Sequence, residues 1–283
     1  MVSETDNLAG KRVVISTDGG RIRTRNYQAE KNVQGTHHKF ETPWKEPKLF
    51  VITVIDQNGK IERTELPVYD ATFGEEGLFR LLGEYLKALN INEVEEVQVI
   101  ADGALWIWNN AKKMLLELGV AEDKIVETLD YYHAVEHLSK ITELLPKTPQ
   151  GAKQSLFKEF KELLWEGKVK EIIEKIRTRV KRVSKKLKTE IAYFEKNERR
   201  LNYPQYRAGK WLCGSGIIES GVRRRDQSAV QVGIVFLEPR KSGWHDISAL
   251  RLAFREMEIC HANYYKFLNE GGQIAIAPCL KGF

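Results

Sequence analysis

The chain has 283 residues, 42% hydrophobic and 30% charged, enough for one large or two ordinary globular domains of about 100–200 residues each. This excludes a disulfide mini-scaffold and a disordered chain; no run approaches the roughly 18 apolar residues of a membrane span, and the first ten residues, MVSETDNLAG, carry acids where a signal peptide carries bases. We expect a cytoplasmic protein whose three scattered cysteines, Cys213, Cys260 and Cys279, are reduced and form neither a disulfide framework nor a CxxC metal site.

The formal net charge of +6 is unevenly spread. Residues 151–200 hold 16 Lys and Arg against 8 Asp and Glu, whereas residues 69–145 hold 6 against 15. An acidic centre beside a basic arm suggests a polyanionic partner; the plainer reading is a solvated, lysine-rich helix.

In chain order, residues 11–17 form a β-branched run that predicts a strand ending at Asp18-Gly19-Gly20. Residues 27–47, with His37, His38, Pro43 and Pro47, lack a period and read as a surface loop. Apolar runs at 48–56 and 60–68 flank Gln57-Asn58-Gly59, an Asn-Gly hairpin signal. Leu78, Leu81, Leu82, Tyr85, Leu86 and Leu89 fall on one face of a helix over 74–89. A strand at 96–100 leads to Ala101-Asp102, a helix at 105–118 stops at Gly119, and a strand at 124–129 ends at Asp130. Three antiparallel strands passing into β-α-β-α-β predict an α/β fold with the mixed five-stranded sheet of an RNase H-like core, flanked by helices.

Residues 131–200 show only helical periodicity, broken at 146–151 and at Gly167, and predict a two-helix hairpin with a basic outer face. This all-α insertion precedes a turn at Pro204 and a helix entered through Cys213-Gly214-Ser215-Gly216, with Ser215 as N-cap and Glu219 in the first turn. A last helix is expected over 246–269. The implied division is a first core segment (1–130), the insertion (131–203) and a second core segment (204–283).

Asp18 and Asp102 each end a buried strand and precede glycine, which lets a phosphate backbone approach without a Cβ. With Glu219 they make three carboxylates of the kind that hold two divalent ions for in-line phosphoryl transfer. Taken singly, each has a simpler reading: Asp-Gly as a turn or tight hairpin, Glu as a partner of the helix dipole.

The segments VVISTDGGRIR, WKEPKLFVITVID, VQVIADGALWIWN, LDYYHAVEHL and CGSGIIESGVRRR together resemble, in order and context, insertion-sequence transposases with an RNase H-like DDE core and a helical insertion, related to the Mutator-like branch. The resemblance covers roughly residues 11–254. It implies that Asp18, Asp102 and Glu219 are the catalytic, metal-binding triad of a DNA transposase, with the insertion in the gap between the last two, and that Mg2+ is the cofactor with Mn2+ as a substitute. It also implies that Asp130 and His133, the Asp-x-x-His of LDYYHAVEHL, lie beside the site.

The same segment contains His133-Ala-Val-Glu136-His137, an H-x-x-E-H match that read alone fits a zinc metallopeptidase with Glu219 as a third ligand; that reading leaves both Asp-Gly strand ends and the basic arm unexplained. For DNA, Arg21, Arg23 and Arg25 follow Asp18, and Arg223, Arg224 and Arg225 follow Glu219 by one turn. Residues 168–188 carry ten bases against two acids, among them Lys181, Arg182, Lys185 and Lys186. Trp106, Trp108 and Trp165 are candidates either for base stacking or for the core.

Transposases of this kind recognise their ends through a region before the first catalytic Asp, and here only residues 1–17 precede Asp18. We therefore expect a separate end-binding domain or upstream reading frame, or a truncated and inactive copy. The expected partners are transposon ends and target DNA, with a homodimer in a synaptic complex and no membrane, and the expected location is the nucleoid. The readings to be separated are a transposase, an RNase H-like nuclease without strand transfer, an inactive DNA-binding remnant and the zinc peptidase.

Overall fold

The computed structural model describes residues 7–20, 22–23, 26–31, 38–62, 68–146 and 149–216. The chain divides into two compact units, residues 1–25 with 42–236 and residues 26–41 with 237–283. The strands are β1 (Arg12–Gly19), β2 (Ile22–Arg23), β3 (Asn26–Lys31), β4 (His38–Glu41), β5 (Trp44–Lys45), β6 (Pro47–Ile55), β7 (Val68–Phe73), β8 (Glu96–Ala101) and β9 (Ile125–Leu129). The helices are α1 (Glu75–Ala88), α2 (Leu105–Glu117), α3 (Tyr131–Leu144), α4 (Gln150–Trp165), α5 (Val169–Arg179), α6 (Lys185–Asn197) and α7 (Tyr203–Ala208).

Five strands form one sheet in the order β7-β6-β1-β8-β9. β1 pairs antiparallel with β6 and parallel with β8, and β9 continues the parallel half. The sheet is therefore mixed, in the order expected of an RNase H-like core. β1 is central because its Val13, Val14 and Ile15 bury both faces of the strand, as a run without polar alternation requires. The 14-residue helix α1 presents Leu78, Leu82 and Leu86, all buried, at i, i+4 and i+8. Burying each contributes about 2 kcal/mol, and the Tyr85 ring of the same helix meets Phe50 of β6 edge-on at 5.7 Å.

Four local expectations are corrected. The stretch read as a loop over 27–47 contains β3 paired with β4 in the second unit, and in the first unit β5 paired with β2; these strands are polar (NYQAEK, HKFE) and carry no apolar alternation to reveal them. The Asn-Gly turn forms, with Gly59 at φ 78° and the Asp56 N–H donating to the Lys60 carbonyl, but beyond the bridge Ile55↔Ile61 the third strand of the sheet is β7, whose Val68 pairs with Ile52. The second arm of the expected helical hairpin is two helices: α5 ends at Arg179, and the Ser184 side chain caps α6 by accepting from Leu187 N–H at 3.2 Å. Pro204 does not turn the chain but opens α7, where its missing N–H costs nothing.

Helices α3 to α6 share the core of the first unit through Leu138, Phe160, Leu164, Ile172, Ile176 and Phe194, all fully buried. Gln98, also fully buried, fastens residues 211–213 to the sheet. Its amide donates to Thr128 Oγ1 and to the Leu212 carbonyl, both at 2.7 Å, and its oxygen accepts from Leu212 N–H. Among the described residues no helix is long and apolar enough to cross a membrane. The expected last helix over 246–269 lies outside the described residues.

Candidate active site

The parallel pairings place Thr17 of β1 beside Ala101 of β8, and Ala101 beside Leu129 of β9. The next residues along these strands are Asp18, Asp102 and Asp130, so three aspartates stand in one row at the carboxyl edge of three adjacent strands, spaced by about 4.8 Å per strand. Asp18 and Asp102 are partly exposed and Asp130 is fully buried. The Asp18 carboxylate accepts from Gly19 N–H at 2.7 Å, and that of Asp102 from Ala104 N–H at 2.9 Å.

Asp130 is differently used. It N-caps α3, one carboxylate oxygen accepting from Tyr132 N–H (2.7 Å) and His133 N–H (3.1 Å), while the other accepts from both the backbone N–H and the hydroxyl of Ser215. Its own N–H donates to the Ala101 carbonyl, and the N–H of Tyr131 donates to the carbonyl of Cys213 at 2.9 Å. A carboxylate has about four lone-pair sites, and here four donors engage them. Asp130 thus ties the strand end that precedes Asp102 to the segment leading towards position 219. The Ser215 hydroxyl, expected to cap the following helix, is turned to Asp130. His133 is partly buried, its Nδ1 3.9 Å from Glu136.

The glycine after Asp102 has a reason the sequence did not show. A Cβ on Gly103 would lie 2.1 Å from Cε2 and 2.9 Å from both Cδ2 and Cζ of Tyr193, on α6. The space is filled by a side chain of the protein. Likewise a Cβ on Gly19 would lie 2.7 Å from Glu46 Oε1. The Tyr193 ring stacks on His137 of α3 at 3.6 Å and 16°, and His137 Nδ1 lies 2.5 Å from Glu190 Oε2. The Tyr193 hydroxyl is buried and has no hydrogen-bond partner among the described residues. Burial pushes this phenol well above its ordinary pKa, and the negative charges of Asp102, Asp130, Glu190 and Glu136 push the same way.

Trp108 is core rather than a base-stacking surface: it is 6% exposed, and its indole N–H donates to the Asp102 carbonyl at 2.9 Å. Arg200, just after α6, lies 4.3 Å over that ring and reaches Glu127 of β9 at 3.1 Å and Asn197 Oδ1 at 3.2 Å. Burial depresses the Arg200 guanidinium, against the opposing pull of Glu127. Trp106, partly buried, meets Phe79 edge-on and lies under the Lys48 ammonium at 4.7 Å. Trp165 is partly buried among Tyr131, Tyr203 and Arg207.

Of the bases expected to meet DNA, Lys181, Arg182, Lys185 and Lys186 are exposed at the α5–α6 junction. Several of their neighbours are paired with acids of the same helical region: Lys168 with Glu166, Lys170 with Glu198, Lys175 with Glu159 and Glu171, and Arg177 with Glu195. Nothing is described of the Arg23 side chain. Arg21, Arg25, Glu219, Arg223, Arg224 and Arg225 lie outside the described residues.

The donors present suit a hard cation: two carboxylates side by side at strand ends are the oxygen set that Mg2+ uses, with waters and phosphate completing its shell. Among the described residues no group of three or more His, Cys, Asp or Glu side chains is placed to hold a metal, so His133, Glu136 and His137 gather no further ligand there, and His137 is already engaged by Glu190. The sequence did not point to Tyr193, Arg200 or Glu127, and it marked Ser215 only as a helix cap; Gly103 after Asp102 was a trace of Tyr193, since its missing side chain marks where that ring packs. No protein-family model, curated protein or solved structure matches the chain.

Proposed function

We propose that the protein is the catalytic core of a DDE-type DNA transposase, a metal-dependent polynucleotidyl transferase. The observation that carries the reading is the placement of Asp18 and Asp102 one residue beyond the paired Thr17 and Ala101, on adjacent parallel strands of a sheet ordered β7-β6-β1-β8-β9. Strand ends held by a buried sheet keep two carboxylates at a fixed separation, which repeated phosphoryl transfer at one centre requires. Glu219 is the third carboxylate of this reading. Its approach to the centre is supported by the Asp130–Ser215 bonds, which hold residues 213–215 beside the same row.

Asp18, Asp102 and Glu219 would hold Mg2+, or Mn2+ in its place; when bound, the ions supply Lewis acidity and lower the pKa of a nucleophilic water or 3′-hydroxyl. The protein's own residues orient and position. Water first attacks a phosphodiester at the transposon end, releasing a 3′-hydroxyl, and that hydroxyl then attacks a phosphodiester of target DNA, releasing a new 3′-hydroxyl. Each step makes one P–O bond and breaks one, so a single site serves both. The exposed bases at the α5–α6 junction support a DNA partner: Lys185 and Lys186 occupy the first turn of α6, where the helix dipole disfavours positive charge.

The test is Asp102→Asn. We expect it to lower Mg2+-dependent nicking of duplex DNA by about 1,000-fold, the several kcal/mol of a lost metal ligand, with unchanged melting temperature and unchanged salt-sensitive DNA binding. Equal nicking by the variant would refute the assignment. Joining of a pre-cut 3′-hydroxyl end to target DNA separates a transposase from a nuclease without strand transfer. DNA affinity with no metal-dependent turnover would identify an inactive remnant.

A further inference from the structure

Tyr193 belongs to the helical insertion, yet its ring covers Gly103, the residue after Asp102. The ring edge nearest Gly103 is centred on Cε2, with Cδ2 and Cζ equally close on either side of it, so the hydroxyl-bearing Cζ is one of the three ring atoms against Gly103. His137 fixes the plane of the ring by stacking at 3.6 Å, and Glu190 fixes His137. α6 is further pinned to the core by Arg200, which reaches Glu127 and lies over Trp108, the donor to the Asp102 carbonyl. A phenol held this firmly beside Gly103 has a buried hydroxyl without a partner among the described residues. Leaving such a donor unpaired costs on the order of 1–3 kcal/mol, and the apolar face of the ring would pack on His137 and Gly103 equally well as phenylalanine.

We propose that Tyr193 is a positioning residue of the carboxylate centre, its hydroxyl donating a hydrogen bond to the oxygen shell of the divalent ion held by Asp102. The inference rests on the reading of Asp18 and Asp102 as ion ligands. It gives the insertion a role beyond holding DNA: α6 supplies one group that orients the ion's outer oxygens. A phenol carries one O–H donor and is neutral near pH 7, so it can donate to an ion's outer oxygens. Groups one step outside a metal's ligands typically alter affinity or activity by about 10–100-fold when removed.

The experiment measures Mn2+ affinity by electron paramagnetic resonance, with no DNA present, in the full chain, in Tyr193→Phe and in Asp102→Asn, alongside the melting temperature of each without metal. The expected result is that Tyr193→Phe weakens Mn2+ binding by about 10-fold while its metal-free melting temperature is equal to or above that of the unaltered protein, since an unpaired buried hydroxyl is gone. A purely structural role could not move the two in opposite directions. If Asp102→Asn loses Mn2+ binding while Tyr193→Phe keeps it unchanged, the role of Tyr193 is overturned and the carboxylate reading stands. If Asp102→Asn binds Mn2+ as well as the unaltered protein, or neither binds it, the carboxylate reading falls and the role of Tyr193 falls with it.

Discussion

The indole N–H of Trp108 donates a 2.9 Å hydrogen bond to the carbonyl oxygen of Asp102, and the guanidinium of Arg200 lies 4.3 Å over the same ring. One carboxylate of the candidate centre is thus held through its backbone by a helix of the core, and that helix is clamped by a residue that follows α6. We predict that Trp108→Phe, which keeps the aromatic ring and removes the donor, costs about 1–2 kcal/mol in urea unfolding and reduces metal-dependent cleavage further than its loss of stability explains. Unaltered cleavage would show that this bond does not position Asp102.

Asp130 should behave as a structural carboxylate. Its buried carboxylate accepts four bonds, the two from Ser215 fully buried and the two from Tyr132 and His133 partly so, and removing it strands four donors. We predict a cost of about 3 kcal/mol or more for Asp130→Ala, together with faster amide exchange at Ser215 and Tyr132. A variant as stable as the unaltered protein would contradict this role.

Gly103 and Tyr193 should be coupled. Gly103→Ala places a methyl group into the Tyr193 ring, and we predict a loss of about 2–3 kcal/mol from overpacking. In a double-mutant cycle, Tyr193→Ala should relieve most of that loss, since the obstructing ring is gone. Additive losses would mean that the glycine is required for another reason.

Cys213 should be unreactive. Burial pushes its thiol up to about 11, from 9.0, against the favourable charge of Arg207. At pH 8 the thiolate is then roughly 100-fold scarcer than for an ordinary cysteine, and alkylation of the Cys213 peptide by iodoacetamide should slow accordingly. The folded state binds this proton more tightly than the unfolded state does. The resulting stability is complete below pH 9 and is lost as pH rises towards 11. Cys213→Ala should flatten the stability profile across that window.

The α5–α6 junction should govern salt dependence. Replacing Lys181, Arg182, Lys185 and Lys186 with Gln is predicted to lower the slope of log affinity for duplex DNA against log salt by about 3.6, at roughly 0.9 per lost phosphate contact. All four residues are exposed, so the melting temperature should not fall. An unchanged slope would move the DNA path elsewhere.

The order of the core was legible because each element carries its own periodicity. β1 carries the apolar run Val13-Val14-Ile15, β8 sets Val97, Val99 and Ile100 around the single amide of Gln98, α1 repeats leucine at helical spacing, and Gly119 stops the chain after α2 with φ 86°. The strands missed, β3 and β4, are polar and satisfy their hydrogen bonds in a two-stranded ribbon, so no apolar face had to be encoded. The break between α5 and α6 was hidden because the apolar spacing continues through Val180, Val183 and Leu187 while the backbone does not.

The sequence by itself determined the strand order and placed aspartates at the ends of three strands, since hydrophobic pattern and local turn chemistry act over a few residues. Only the tertiary structure decided how those aspartates differ. Register sets Asp18, Asp102 and Asp130 in one row, but long-range partners assign their uses: Ser215, 85 positions away, engages Asp130, while Tyr193 of α6 packs over Gly103 beside Asp102. Such roles depend on hydrogen bonds and excluded volume between segments far apart in the chain, which local pattern does not encode.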